Sequence, residues 1–296
     1  MFNTPLIIYH ANCYDGFTSA WICNDHFCFE SWAENDHEVP PEIVAGLYGQ
    51  APPDVTGREV YMVDFSYKRP VLEEMAKKAK SITILDHHKT AEADLKDLNL
   101  PNVKVHFDMY RSGAMLTWHY FNSPEGEHDD AAAPPLVQYV QDRDLFKFAL
   151  KDSEAINASI MSYAFTFESW HLLHERMTLD LTSVVHEGES LLRAKNQYVE
   201  FMKAFVYRVK LPEIFGKFAG MEVPVVNAPY INISDLLSAL LSESDPVAIG
   251  WFKRADGKFQ HSLRSTDAFD CSEISKVFGG GGHKKASGFE ALTLLL

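Results

Sequence analysis

Three short apolar runs each lead into side chains that bind divalent metals. Residues 5–10 (PLIIYH) end in His10, residues 59–65 (EVYMVDF) carry Asp64, and residues 81–85 (SITIL) are followed by Asp86, His87 and His88. Carboxylate oxygens and imidazole nitrogens together suit manganese, magnesium or zinc. Asp86-His87-His88 in isolation is a tripeptide that chance places on many surfaces. At the end of a buried strand, however, three consecutive polar residues have no packing role, and metal chemistry explains them better. Asp15 lies five residues after His10, where a first helix opens. It can cap that helix or hold a cation beside a phosphate drawn to the helix N-terminus. Asp142 and Asp144 flank Arg143 and read equally as ligands or as a solvated helix end with its own ion pair. Near the C-terminus, Gly279, Gly280, Gly281 and Gly282 precede His283, Lys284 and Lys285. Successive glycine N–H groups can cradle an anion, and His283 adds a donor. Arg264, ending a predicted strand, offers a planar fork for a second phosphate contact.

Such side chains converge only if the strands run parallel, because the crevice of an open parallel sheet lies beyond the carboxyl ends of its strands. The first two thirds of the chain do alternate apolar runs with helical patterns. Strands are predicted over residues 5–10, 59–65, 81–85 and 103–107, and helices over 16–27 and 70–80, the second opening with Pro70 in its first turn. Residues 123–135, rich in Pro, Ala and acids, read as a loop, after which 136–140 resume an apolar pattern. Residues 170–205 contain no proline and predict two helices broken at Gly188. Strands over 223–226, 247–252 and 258–264, a hairpin turn at Ala255-Asp256-Gly257, and helices over 234–242 and 272–278 complete the chain. The expected α/β organisation is an N-terminal parallel-sheet domain with helices on both faces (1–185), a helical linker (186–215) and a smaller C-terminal α/β domain (216–296).

A length of 296 residues accommodates two domains, and 46% hydrophobic with 23% charged residues excludes a mainly disordered chain. The net charge of -14 opposes tracking along a nucleic-acid backbone, so a polyanionic substrate has to be met locally. Acidic residues gathered around cations reconcile the two negative charges. Cys13, Cys23, Cys28 and Cys271 form no CxxC pair, which points to a reducing compartment. Neither a leader pattern nor eighteen consecutive apolar residues occurs, so a cytoplasmic protein without membrane attachment is expected.

In this order and these contexts the motifs resemble those of the DHH phosphoesterase superfamily, in the branch with a C-terminal DHH-associated domain that includes RecJ-like exonucleases and nanoRNases. The likeness spans nearly the whole chain. His10-Ala11-Asn12-Cys13-Tyr14-Asp15-Gly16-Phe17 resembles the first motif, Val63-Asp64-Phe65 the second, Asp86-His87-His88 the third and Asp142-Arg143-Asp144 the fourth. Gly279 to His283 with Ser287-Gly288-Phe289 resembles the substrate-binding signature of the associated domain.

The resemblance implies two divalent ions, usually Mn2+ with Mg2+ as the alternative, held by His10, Asp15, Asp64, Asp86, His87 and Asp142. Asp64 would bridge them and, with Asp86 and His88, form the catalytic centre, His88 serving as ligand support or transition-state donor. Asp142 takes the usual aspartate position, though Asp144 is also permitted. Gly280, Gly281, Gly282, His283 and Arg264 would hold substrate, as would Arg111 in an Arg111-Ser112-Gly113 stretch that resembles one in this branch. The chain departs from many relatives in having Cys13, a soft ligand, where they carry the first aspartate of a D-x-D pair. Short oligonucleotides, dinucleotides or nucleoside phosphates are the implied substrates, and a homodimer is admissible. A nucleotide-binding module without catalysis and a pyrophosphatase are the competing readings.

Overall fold

The computed structural model describes residues 4–35, 40–123 and 129–296, with the backbone alone for 30–35. In chain order the elements of the first part are β1 (Leu6–His10), α1 (Tyr14–Asn35), β2 (Glu42–Gly46), β3 (Glu59–Val63), α2 (Arg69–Ala76), β4 (Ser81–Asp86), α3 (Lys89–Leu95), β5 (Val103–Phe107), α4 (Gly113–Asn122), α5 (Pro135–Asp144), α6 (Ser153–Ile160), α7 (Phe167–Leu179) and α8 (Leu181–Lys203). Then come β6 (Tyr207–Lys210), β7 (Glu222–Asn227), α9 (Ile233–Ser238), β8 (Val247–Lys253), β9 (Phe259–Ser265), α10 (Ser272–Val277), β10 (Gly281–His283) and β11 (Ala286–Ala291). Two compact units result, Met1–Leu191 and Leu192–Leu296. Among the described residues no helix is long and apolar enough to cross a membrane.

The N-terminal unit is built on a five-stranded sheet of order β2-β1-β3-β4-β5 in which every pair is parallel. Strands β1, β3 and β4 read as unbroken apolar runs because both faces are covered, as parallel sheets require. On one side Leu6, Ile8, Val60, Met62, Ile82 and Ile84 pack with Leu72 and Met75 of α2. On the other, Ile7, Val63 and Leu85 meet Cys23 of α1. Beyond that layer, α1, α4, α5, α6 and α7 share a second core around Trp170, Phe17 and Met115. Strand order reverses between β1 and β3, so a crevice opens at their carboxyl ends.

The C-terminal unit carries a six-stranded mixed sheet, β10-β11-β9-β8-β7-β6, in which only β7 and β8 pair in parallel. Its core of Phe215, Val225, Ile249, Leu263, Ile274 and Phe289 lies on one face, and Leu236 and Leu237 of α9 pack with Val226 and Ala248 on the other.

Several local expectations are corrected by packing. Gly188 does not break the helical stretch: the chain turns at Asp180, and Gly188 sits inside α8, where a Cβ would collide with the carbonyl of Ala155 in α6. The glycine there serves close helix approach. Strands β2 and β6 pass unnoticed in the sequence because each is an edge strand of few residues with mixed exposure. Part of the expected 123–135 loop, residues 124–128, lies outside the described residues, and 130–132 form a 3-10 turn.

Candidate metal centre

Each predicted ligand of the first three motifs comes from the carboxyl end of a strand or the segment just after it. His10 ends β1, Asp64 follows β3, and Asp86 ends β4 with His87 and His88 directly beyond. Asp64 takes a left-handed backbone (φ 53°), uncommon for a residue other than glycine. Two glycines make room: a Cβ on Gly113 would strike Asp64, and one on Gly16 would strike the His10 carbonyl.

The side chains form two adjoining groups. His10, Asp64 and His88 each bring a ligand atom within 4.8 Å of the others, and Asp15, His87 and Asp144 do the same. Asp64 stands between the groups, with Oδ2 3.4 Å from His10 Nδ1 and Oδ1 3.1 Å from His87 Nε2. His87 Nε2 lies 3.7 Å from Asp15 Oδ2 and 3.5 Å from Asp144 Oδ2. Asp64 is 1% exposed, yet neither of its oxygens has a hydrogen-bond partner, and the same holds for His10 Nδ1 and Asp86 Oδ2. Buried polar atoms are almost always paired, so four orphans at one point mark a place built for something that binds them.

Asp15 and Asp86 are anchored more firmly. Asp15 does not cap its own helix: its carboxylate accepts from the N–H groups of Gly113 (2.6 Å) and Ala114 (3.0 Å) at the start of α4. Asp86 Oδ1 accepts from the backbone N–H of His87 and of His88 and lies 2.6 Å from His88 Nδ1, which orients the third-motif imidazole.

The electrostatics follow from crowding. Burial lifts the Asp15 carboxyl well above its ordinary range, helped by the charges of Asp64 and Asp144 and opposed by His87. Burial also raises Asp144. For Asp64 burial acts in the same direction but is outweighed by His10 and His87, which hold it down to about 2. Burial works against the His87 imidazolium, and the surrounding carboxylates overcome it, raising it to about 9. His88 is raised chiefly by Asp86. Burial and the Asp64 charge push the Cys13 thiol up from its ordinary value.

Asp142, the preferred fourth-motif ligand, is turned elsewhere. Its carboxylate accepts from Ala149 N (2.9 Å), Leu150 N (3.2 Å) and Ser153 Oγ (2.5 Å), which folds the turn after α5. Residues two apart on a helix point about 200° apart, so only one of the pair can face the sheet end, and that one is Asp144. Arg111 is likewise committed, to Asp108 and Asp130 at 2.8 Å each, and Asp130 also holds His119 and Gln141. It braces the approach to α4. Tyr48, absent from the sequence reading, packs its ring 5.5 Å from His10 and 4.9 Å from Phe65; burial and the charges of Asp86 and Asp64 raise its hydroxyl above the ordinary range. A lone Tyr after a short edge strand carries no sequence signal for such a position.

In the C-terminal unit the glycine run is not a free loop. Gly281, Gly282 and His283 form edge strand β10, paired with Gly288, Ser287 and Ala286 of β11. A Cβ at Gly280 would collide with the Gly288 carbonyl, and Gly282 has φ 137°. Ala286 pairs with His283 on one side and Arg264 on the other, so these two share a face of the sheet about 10 Å apart. Arg264 donates to Ser234 Oγ (2.9 Å) and to the Leu263 carbonyl (2.8 Å).

No family model matches the chain. Uncharacterized protein R106 of Acanthamoeba polyphaga mimivirus is 27% identical over 300 residues, 96% of this chain and 66% of that protein, so the chain spans just under two thirds of this relative's length. Among solved structures, the pGpG-specific phosphodiesterase PggH from Vibrio cholerae matches with TM-score 0.53 at 12% identity, covering 97% of this chain and 92% of that one. The DHH domain of a member of the s1p family of ribosomal proteins matches with TM-score 0.52 at 15% identity, covering 97% and 82%. At such identities the likeness is one of architecture, and the chain has the fold of the DHH-domain proteins.

Proposed function

We propose that this chain is a hydrolase of the DHH phosphoesterase superfamily, cleaving phosphodiesters of short oligonucleotides or dinucleotides in the cytoplasm with two divalent cations, manganese or magnesium. The observation that carries the reading is Asp64, a buried carboxylate whose oxygens face His10 and His87 without a well-formed hydrogen bond, between two groups of ligand-competent side chains. Hard oxygen donors with imidazole nitrogens, and no cysteine in either group, fit these cations better than softer ones. His10, Asp64 and His88 would hold one ion and Asp15, His87 and Asp144 the other, with the free Oδ2 of Asp86 available to either. The ions, when bound, supply Lewis acidity and neutralise phosphoryl charge. The protein's own part is orientation: Asp86 fixes the His88 ring through Nδ1, which holds it in place as ligand support beside the scissile phosphate. In the C-terminal unit, Arg264 and His283 would take a terminal phosphate on the sheet face that they share.

The test is hydrolysis of a linear dinucleotide and of pyrophosphate by the purified protein with Mn2+, and again after exhaustive chelation checked by elemental analysis. Metal-dependent cleavage of the dinucleotide is expected. Turnover by metal-free protein overturns the two-cation reading, preference for pyrophosphate makes the chain a phosphoanhydride hydrolase, and nucleotide binding without turnover makes it a binding module.

A further inference from the structure

A pocket of about 310 Å3 opens beside the second ligand group, and the roles assigned to the motif residues do not account for it. Asp15 and Asp144 line it together with Cys13, Arg143, Phe146 and Phe148. Its volume is at the small end of ligand sites, which run to roughly 300–1,000 Å3. A volume of this order matches a single mononucleotide.

Two features of its wall are unusual. Arg143 is half-buried, and its guanidinium makes no hydrogen bond and no ion pair among the described residues, although the cluster beside it is rich in carboxylates. A cation left unpaired next to acidic groups is available to an anion that arrives later. The second feature is the pair of rings. Phe146 is 83% exposed, its ring 5.1 Å from that of Phe148 and edge-on to it. Both residues have left-handed backbones, with φ of 54° and 46°. Bulky side chains rarely adopt that region, and they hold it here because the turn is over-determined. The Asp142 carbonyl accepts from Lys147 N and Phe148 N, and the Asp142 carboxylate ties down Ala149, Leu150 and Ser153. A rigid turn that keeps an aromatic face in solvent beside a free guanidinium has the parts of a nucleotide subsite: a stacking platform and a phosphate contact.

We infer that this pocket binds a nucleobase of the substrate on Phe146 while Arg143 takes the phosphate next to the scissile one. The inference rests on the proposed hydrolase reading and deepens it. The N-terminal unit then selects nucleotides over base-free phosphate compounds.

Calorimetric titration of the full chain with adenosine and guanosine 5′-monophosphate, and with ribose 5-phosphate as the base-free control, tests the subsite without needing turnover. The nucleotides are expected to bind at least about tenfold tighter than the control, a gap within what one stacked base supplies. Phe146→Leu keeps apolar bulk but removes the ring face, and should lose about that tenfold for nucleotides with no change for ribose 5-phosphate. Phe146→Tyr should bind as the wild type does. Arg143→Gln should weaken nucleotide and sugar phosphate alike. Equal affinity for nucleotides and ribose 5-phosphate, or undiminished nucleotide binding by Phe146→Leu, overturns the inference. Nucleotide binding that follows this pattern with no Mn2+-dependent cleavage of a dinucleotide would keep the subsite and sink the hydrolase.

Discussion

At the scale of single residues, the proposed chemistry rests most heavily on Asp64. Its buried oxygens make no well-formed hydrogen bond, so it is the side chain whose replacement should most clearly separate metal binding from folding. Saturating Mn2+ should raise the melting temperature of the wild type, since a ligand at a hundred times its dissociation constant stabilises by about 2.7 kcal/mol. Asp64→Asn should fold, lose that metal-induced shift, and lose more activity than the roughly 10–100-fold typical of a missing outer partner. An unchanged metal-dependent melt in the variant would remove Asp64 from the centre. Cys13, which belongs to neither ligand group, should tolerate Ser with a much smaller loss in the same assays. His261 in β9 is a different kind of residue. It is fully buried, stacked on Phe289 at 4.4 Å, and neither ring nitrogen has a partner. Burial pushes it from 6.5 down to about 4. The unfolded chain therefore takes up this proton first: the stabilisation is complete above about pH 6.5 and is lost as pH falls toward 4. Denaturant melts across that range should show a shallower pH dependence in His261→Phe than in the wild type, and parallel curves would show that other groups govern acid sensitivity.

At the scale of elements, the site depends on how closely neighbours approach. Gly113 lets α4 meet Asp64, and Gly188 lets α8 cross the Ala155 carbonyl of α6, a contact that includes none of the candidate ligands. The two glycines should fail differently. Gly188→Ala over-packs a helix contact and should cost roughly 1–3 kcal/mol in thermal or denaturant melts, with metal binding retained in whatever remains folded. Gly113→Ala displaces Asp64 and should weaken metal binding beyond any loss of stability, as read by Mn2+ titration. If Gly113→Ala bound Mn2+ normally, the close packing of α4 on Asp64 would be incidental. The turn after α5 completes this level, with Asp142 spending its carboxylate on backbone groups so that Asp144 and Phe146 hold their positions.

Across the whole molecule, the charge of -14 and the concentration of ligands in one crevice argue for small substrates. Affinity for long strands is driven by cation-rich surfaces and falls steeply with salt. At physiological salt, kcat/KM for dinucleotides should exceed that for strands of about twenty nucleotides. His283→Ala should raise KM for short substrates more than it lowers kcat, since its proposed role is anchoring. Better use of long strands, indifferent to His283, would require a binding surface other than β10 and its neighbours.

How much of this was legible beforehand follows from the range of the interactions involved. An apolar run ending in a polar, metal-competent residue is a local pattern, so β1, β3 and β4 with His10, Asp64, Asp86, His87 and His88 could be read from the sequence, as could the alternation that makes the sheet parallel. The two-unit α/β architecture is legible for the same reason. Choices between near-equivalent residues were not. Whether Asp142 or Asp144 faces the crevice depends on the rotation of α5 against the sheet. Whether Gly188 breaks a helix or admits another depends on where α6 lies, and Asp15 and Arg111 found partners 98 and 19 residues away. Side-chain direction about a helix and contacts between distant segments are set by packing of the whole core, and only the tertiary structure decided them.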